Sequence, residues 1–492
     1  MDNAMRPTVT FLSGRTIEKI LDEGMEVLCT IGVHADNPNV LSLLGDHGAA
    51  VDAGERHVVF TREMIERAIE SAPSQVTLYD RAGSEAIEMQ GRNIAFAPGS
   101  AAIHVLDIEA RVIRKPTSGD YVRFTRVTDA LAHIDAQSTA LIPADVPYEF
   151  SDRYRVYLSL LYSTKPIVSG AFTAGGFEPM KDMLVAVRGS EQVLAEKPLL
   201  ICDVCPSAPL KWHEATSQNL IDSARYRIPA ELISMPLAGA IGPATLMGSL
   251  VQHTAETLSG LVIHQCANPG APVIYGGSPA IFDMRCGTTP MGAIETMMID
   301  CAYAEIGRFL GIPTHGYLCL SDAKWPDMQA GFESGMGAAL AALAGVNMVS
   351  GPGMLDFESC QSIEKLVADN EICGMVKRLA AGIAERESPL GLDIIRDLAA
   401  AGQVLDHEHT LRWYREEQYL PDPIVDRAKS HAGRELNPSL FCDRARERAD
   451  RILSQHSVPD LDKDVRAELD AIALCDAHRL GLDALPEAAW AG

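Results

Sequence analysis

The stretch PTHGYLCLSDAKWPDMQAGFE, residues 313–333, changes character at its midpoint. An apolar run ends at Ser321-Asp322, and a loop carrying Lys324, Trp325, Pro326 and Asp327 leads straight into a helical pattern. A short apolar run closed by turn residues and followed by a helix is the repeating half of a βαβ unit. The same rhythm starts near Ile94 and recurs in IAFAPGS (94–100), AQSTALIPAD (136–145), PIVSGAF (166–172), PLLICDVCP (198–206), ELISMPLAG (231–239), PVIYGGSP (272–279), PTHGYLCLSD (313–322) and VNMVSGPGM (346–354). Strands that alternate with helices pair in parallel, because each crossover returns the chain to the same end of the sheet. Eight such units predict an α/β fold, a (β/α)8 TIM barrel. No G-x-G-x-x-G joins a strand to a helix, which argues against a dinucleotide-binding sheet. The expected division is an N-terminal helical extension over 1–93, the barrel over 94–388 and a C-terminal helical extension over 389–492.

With 492 residues the chain can bury a large core. Forty-two Lys and Arg against sixty-six Asp and Glu leave a formal charge of -24, which disfavours nucleic acid and anionic membranes as partners. The opening MDNAMRPTVTF lacks the apolar core of a signal peptide, and no apolar run is long enough to span a membrane. A cytoplasmic protein, expected as a homo-oligomer, fits this pattern. Eleven scattered cysteines suit buried thiols better than a disulfide framework.

On a parallel barrel the loops after the strands form the binding face. After the seventh strand, Asp322 and Trp325 pair a carboxylate with an aromatic face, the chemistry that holds an organic cation; a helix-start motif with a packing Trp is the alternative. The sixth loop offers Tyr275, Phe282, Arg285 and Glu295, with Arg285 able to meet a substrate carboxylate or simply Asp283. The fourth loop adds Trp212. His315 and Tyr317 share one face of the seventh strand, as a cavity pair or as core. Gly276, Gly277, Gly351 and Gly353 follow strands on the same rim, where a cofactor could approach. Cys202 and Cys205 in CDVC have metal-knuckle spacing but point to opposite faces of an extended run, and His407 and His409 lie in an acidic helical context. No metal is therefore expected.

Five segments carry a family resemblance: residues 239–277, SDAKWPDMQAGFE (321–333), RKPTSGDYVRFTRVTDALAHID (114–135), SIEKLVADNEI (362–372) and EHTLRWYREEQYLPDPIVDR (408–427). Together they resemble the trimethylamine:corrinoid methyltransferase family. The resemblance implies a (β/α)8 barrel and transfer of an amine methyl group to the Co(I) corrinoid (cobalamin) of a partner protein, with no corrinoid bound tightly by this chain. Family members that act on methylamines carry pyrrolysine, whereas all 492 positions here are standard. That departure points away from trimethylamine and toward quaternary amines such as glycine betaine, proline betaine or carnitine. Two rival classes stay open: a zinc-dependent thiol or alcohol methyltransferase, and a quaternary-amine-binding protein without catalysis. The residue that would act in catalysis is not identifiable at this level.

Overall fold

Each of the eight apolar runs contains a short strand in the computed structural model of the chain, which describes residues 5–173, 175–429 and 440–488. They are β1 (Ala95–Ala97), β2 (Gln137–Ser138), β3 (Ile167–Ser169), β4 (Leu200–Val204), β5 (Ala230–Ser234), β6 (Val273–Gly277), β7 (His315–Tyr317) and β8 (Met348–Ser350). A helix follows each in turn: α1 (Ser118–Ala130), α2 (Tyr148–Tyr162), α3 (Phe177–Arg188), α4 (Glu214–Tyr226), α5 (Leu246–Ala267), α6 (Ile294–Phe309), α7 (Met328–Ala344) and α8 (Ile363–Ala380). The fold is mixed α/β.

Strands β2 to β6 pair in parallel in chain order, and β7, β8 and β1 form a second parallel sheet. The two sheets touch at both borders. Tyr275 and Thr314 form a parallel bridge, and the Tyr275 N–H donates to Pro313 O at 2.8 Å. At the other border the N–H groups of Asp135 and Ala136 donate to Phe96 O at 2.7 and 3.1 Å.

Strands buried on both faces read as unbroken apolar runs, which is why these were legible. On one face Ala95, Ala97, Ala136, Val168, Ile201, Ile274 and Met348 gather into a single apolar cluster. Val76, Leu78, Ile87 and Met89 join it from an antiparallel hairpin, Val76–Tyr79 with Glu85–Met89, which covers the N-terminal ends of the strands. Those four side chains contribute roughly 1.5–3 kcal/mol each by leaving water.

The N-terminal segment departs from the helical expectation. Besides helices Gly14–Thr30, Pro38–Asp46 and Arg62–Ser71 it holds that hairpin and three further short strands. One of these, Val33–Ala35, pairs with Lys211–Trp212. Strands of three residues are too short for their period to stand out. The C-terminal segment is helical where described: Leu392–Ala401, Glu408–Glu417, Phe441–Gln455 and Lys463–Arg479. The last of these is tied to α2, where Asp476 meets Arg153 at 3.2 Å and Asp470 accepts from the Tyr157 hydroxyl at 2.6 Å. Among the described residues no helix is long and apolar enough to cross a membrane.

Candidate active site

Register places carboxylates where apolar side chains are the rule. Asp203 on β4 lies opposite Glu231 on β5, and Glu231 lies opposite Ile274 of the apolar cluster, so both acids share its face. His315 on β7 stands opposite Met348 on the same face. All three are buried, Glu231 and His315 completely. His315 Nδ1 abuts Glu231 Oε2, and its Nε2 lies 2.7 Å from Ser350 Oγ. The Tyr317 ring stacks on the imidazole with centroids 5.2 Å apart.

Burial sets the charge states. It pushes the Glu231 carboxyl up to about 8, and with the Glu231 charge beside it, Asp203 rises well above the carboxylate range. Burial likewise lowers His315 to about 4. Near neutral pH, then, the proton between Glu231 and His315 rests on the acid and the imidazole is neutral.

A second group of acids lies beyond the two tyrosines. Asp300 of α6 is buried and driven well above its ordinary range by burial and by Glu358. Burial raises Glu358 to about 8 and Asp322 to about 6. Asp322 accepts from the N–H groups of Met291 and Gly292 at 2.9 and 3.0 Å, while Glu333 accepts from the Asp322 N–H at 2.9 Å. The two groups meet at Tyr303, which feels Asp300 and Glu231, and at Tyr317, which feels Glu231, Asp203 and Glu358. Glu358 ends three successive residues with left-handed backbone, φ 51, 56 and 66° from Asp356 to Glu358. Such geometry costs about 1–2 kcal/mol per residue without glycine, and strain of this kind gathers at functional sites.

What this interior lacks among the described residues is a Lys or Arg counter-charge. None of Asp203, Glu231, Asp300, Asp322, Glu333 and Glu358 has a Lys or Arg nitrogen within 4.0 Å. Both Asp300 oxygens and Glu358 Oε1 are buried without a hydrogen-bond partner among the described residues, while Asp203 and Glu231 share a side-chain hydrogen bond with each other. Buried carboxyls are ordinarily paired, and each orphan costs about 1–3 kcal/mol. The arrangement suits an organic cation that supplies the missing charge.

Of the residues expected from the sequence, Asp322, His315 and Tyr317 fall in this interior, and the others are placed differently. Trp212 is fully buried, its Nε1 donating to Ser259 Oγ at 2.9 Å: it packs beneath the N-terminal sheet and is not a rim residue. Tyr275 alternates with Ile274 and so faces the helix layer, with its hydroxyl 3.3 Å from Thr254 Oγ1. Arg285 is 87% exposed and bound to Asp283 at 2.6 Å, the bland alternative. Glu295 is exposed in the first turn of α6. Phe282 is half-buried in its loop. Trp325 is half-buried too, resting on Leu106, Ala323, Ala330, Leu355 and Cys360, while Asp327 caps α7.

The four glycines make room for the chain itself. A Cβ on Gly276 would meet Glu231 Oε1 at 2.3 Å, one on Gly277 the His253 Nε2 at 2.2 Å, one on Gly351 the Leu318 carbonyl at 2.1 Å and one on Gly353 the Gln361 Oε1 at 2.4 Å. Gly276→Ala is expected to cost about 1–3 kcal/mol of stability by denaturant unfolding, because the added methyl group would overlap the Glu231 side chain.

Burial raises both the Cys202 and Cys205 thiols. His407 caps a helix, and His409 pairs with Glu387 at 2.9 Å. Among the described residues no three His, Cys, Asp or Glu converge in a way that could hold a metal ion. Sequence inspection missed Asp203, Glu231, Asp300 and Glu358. For the first three the available signal was an acid between apolar neighbours; Glu358, between Phe357 and Ser359, carries no such signal.

Fold and site together define an α/β protein with a group of buried acids on the inner face of its parallel strands. The model of the family Trimethylamine methyltransferase (MTTB) matches residues 2–475, and the chain belongs to that family. It is 31% identical over 469 residues to the glycine betaine methyltransferase of Desulfitobacterium hafniense (strain Y51), covering 94% of this chain and 96% of that one. It is 30% identical over 448 residues to the trimethylamine methyltransferase MttB of Desulfitobacterium hafniense (strain DSM 10664 / DCB-2), with 91% and 90% covered. Among solved structures, the monomethylamine methyltransferase (MtmB) of Methanosarcina barkeri superposes with a TM-score of 0.51 at 12% identity, covering 95% of this chain and 87% of that one, a likeness of fold.

Proposed function

We propose that residues 94–388 form a closed (β/α)8 barrel that moves a methyl group from a quaternary amine to the corrinoid of a partner protein, with 1–93 and 389–492 as extensions. The two border contacts between the parallel sheets support closure. The observation that carries the activity is the set of buried carboxyls without a Lys or Arg counter-charge. Support for the amine class comes from the family, which includes a glycine betaine methyltransferase.

In this reading Glu231 and Asp203 face the ammonium, and the Tyr317 ring adds cation–π attraction of about 0.5–2 kcal/mol. A quaternary nitrogen leaves as a neutral amine, so the site needs a counter-charge and orientation more than a proton donor. The partner's corrinoid, when present, supplies the Co(I) nucleophile that accepts the methyl group. It arrives on the partner rather than being held tightly here, in keeping with glycines filled by the chain's own atoms. Exposed Met235, Met284, Met328, Phe332 and Met336 follow β5, β6 and β7 and offer an adaptable apolar rim for that partner.

The test is a methyl-transfer assay with chemically reduced cob(I)alamin or the cognate corrinoid protein, reading methylcob(III)alamin by absorbance. Saturable transfer is expected from at least one of glycine betaine, proline betaine and carnitine. Transfer from none of them, with binding of none, would sink the reading.

A further inference from the structure

At the end of the fold opposite the strand ends that carry the buried acids, where the chain enters β1, β7 and β8, lies a cavity of about 350 Å³. Ser74, Gln90, Arg92, Arg308 and Asn347 help to line it, and no acidic residue does. The two arginines are neighbours: a Cβ on Gly345 would touch the Nη1 atoms of both. Burial, and next the Arg92 charge, hold the Arg308 guanidinium below the ordinary arginine value. A third cation adjoins them, since Arg6 Nη1 donates to the Arg92 carbonyl. On a chain of formal charge -24, cations gathered this closely ordinarily have a carboxylate between them.

The acids at hand are otherwise engaged. Glu305, one turn before Arg308 on α6, attracts it from a distance, but its two oxygens accept from the N–H groups of Phe11 and Leu12 at 2.7 and 3.0 Å. Glu88, at the end of the covering hairpin, accepts from Gln75 Nε2 at 2.9 Å and Asn93 Nδ2 at 3.2 Å. Among the described residues neither Arg92 nor Arg308 forms an ion pair. A structural role uses one donor of each: Arg92 Nη1 donates to Leu343 O at 3.0 Å and Arg308 Nη1 to Ala344 O, the last carbonyls of α7. Arg6 Nε closes α8 in the same way, at 3.1 Å from Ala380 O. The Nε and Nη2 groups of Arg92 and Arg308 have no partner among the described residues. A helix C-terminus carries roughly half a negative charge, so the ends of α6, α7 and α8 leave about one and a half positive charges of the three uncompensated.

We infer that Arg92 and Arg308 form a binding site for a phosphate group, free or carried on a small molecule. The charge left over matches a phosphate near neutral pH, roughly -1.5 to -2, better than a single carboxylate. The unused Nε and Nη2 groups supply the parallel N–H donors that an oxyanion accepts, and the exposed Ser74 and Gln90 add donors at the rim. A cavity of this size takes a small phosphorylated molecule as well as the free ion. The site is remote from the buried acids, and the inference is independent of the methyl-transfer reading.

The experiment is calorimetric and uses the full chain in phosphate-free buffer. Wild type is titrated with inorganic phosphate, with glycerol 3-phosphate and, at equal ionic strength, with chloride; Gln90→Glu and Arg308→Gln are titrated in parallel. Wild type is expected to bind a phosphate probe saturably with a Kd of about 1 mM or tighter, and chloride about tenfold more weakly or worse. Arg308→Gln and Gln90→Glu should each weaken phosphate by about tenfold or more, the second by setting a carboxylate beside the guanidinium groups. Gln90 is exposed and removes no helix cap, so Gln90→Glu keeps the test open where Arg308→Gln fails to fold. Tighter binding of glycerol 3-phosphate identifies an organic phosphate and tighter binding of inorganic phosphate the free ion, and either result supports the site. No saturable binding of either probe by wild type up to about 10 mM overturns it, and so does chloride binding as tight as phosphate. Phosphate affinity within about threefold of wild type in Gln90→Glu overturns it as well, because the anion then lies elsewhere.

Discussion

The Glu231→Gln variant is expected to lose about 100- to 1,000-fold in kcat/KM for a quaternary amine while remaining folded. The first half follows from placement. Glu231 is completely buried on the interior face with no Lys or Arg counter-charge among the described residues, so its ionised form is favoured by a bound cation. Removing one preorganised electrostatic partner from a water-excluded site costs about 2.7–4 kcal/mol of transition-state stabilisation. The second half follows from charge. Burial holds Glu231 protonated near neutral pH, and glutamine has the shape of a protonated glutamic acid without its ionisation. The ligand-free variant should therefore melt at or above the wild-type temperature. A variant within about fivefold of wild type would remove Glu231 from the cation site, and one that fails to fold would show that the contact with His315 is needed for structure.

The strands were legible because parallel strands covered on both faces must be apolar almost throughout. The three-residue N-terminal strands were not: Val33–Ala35 exists because Lys211–Trp212 lies beside it, a partner far away in the chain. The same non-local pairing misdirected the reading of Trp212. A Trp in the loop after β4 suggested the rim, but the N-terminal segment folds over that loop and buries the ring.

The site was partly legible. His315 and Tyr317 were placed on one face by strand alternation, and that geometry holds. The same alternation, applied from Ile274, would have turned Tyr275 away from the interior. In PLLICDVCP the cysteines carry the recognisable spacing, although the informative residue is the acid between them, and in ELISMPLAG the acid Glu231 opens an otherwise apolar run. An acid inside a doubly covered strand is costly unless it is paired or used, so its physical expense is the signal.

The ligand-free protein is expected to lose stability as pH rises from about 6.5 to 8.5, above the range in which the neutral buried His253, His264 and His315 oppose the trend, and quaternary amines should restore it most at the alkaline end. Glu231 and Glu358 sit at about 8 in the folded chain against an ordinary 4.5, Asp322 at about 6 against 3.8, and Asp203 and Asp300 are displaced the same way. Between those values the folded chain holds protons that the unfolded chain has released. Their stabilising contribution is complete below the unfolded values and lost as pH climbs through the folded ones, at about 1.4 kcal/mol per pH unit for each such group. In a chain of this size that is a fall of several degrees in Tm across the window. A bound cation favours the ionised carboxylates, so binding should release protons near pH 7, which titrations in buffers of different ionisation enthalpy would detect. The Tm increment from saturating ligand should also be larger at pH 8.5 than at pH 6, and Glu231→Gln should flatten both trends. A Tm that rises over the window, or a ligand increment independent of pH, would mean that these carboxyls are ionised before the cation arrives and that the interior is already neutralised in some other way.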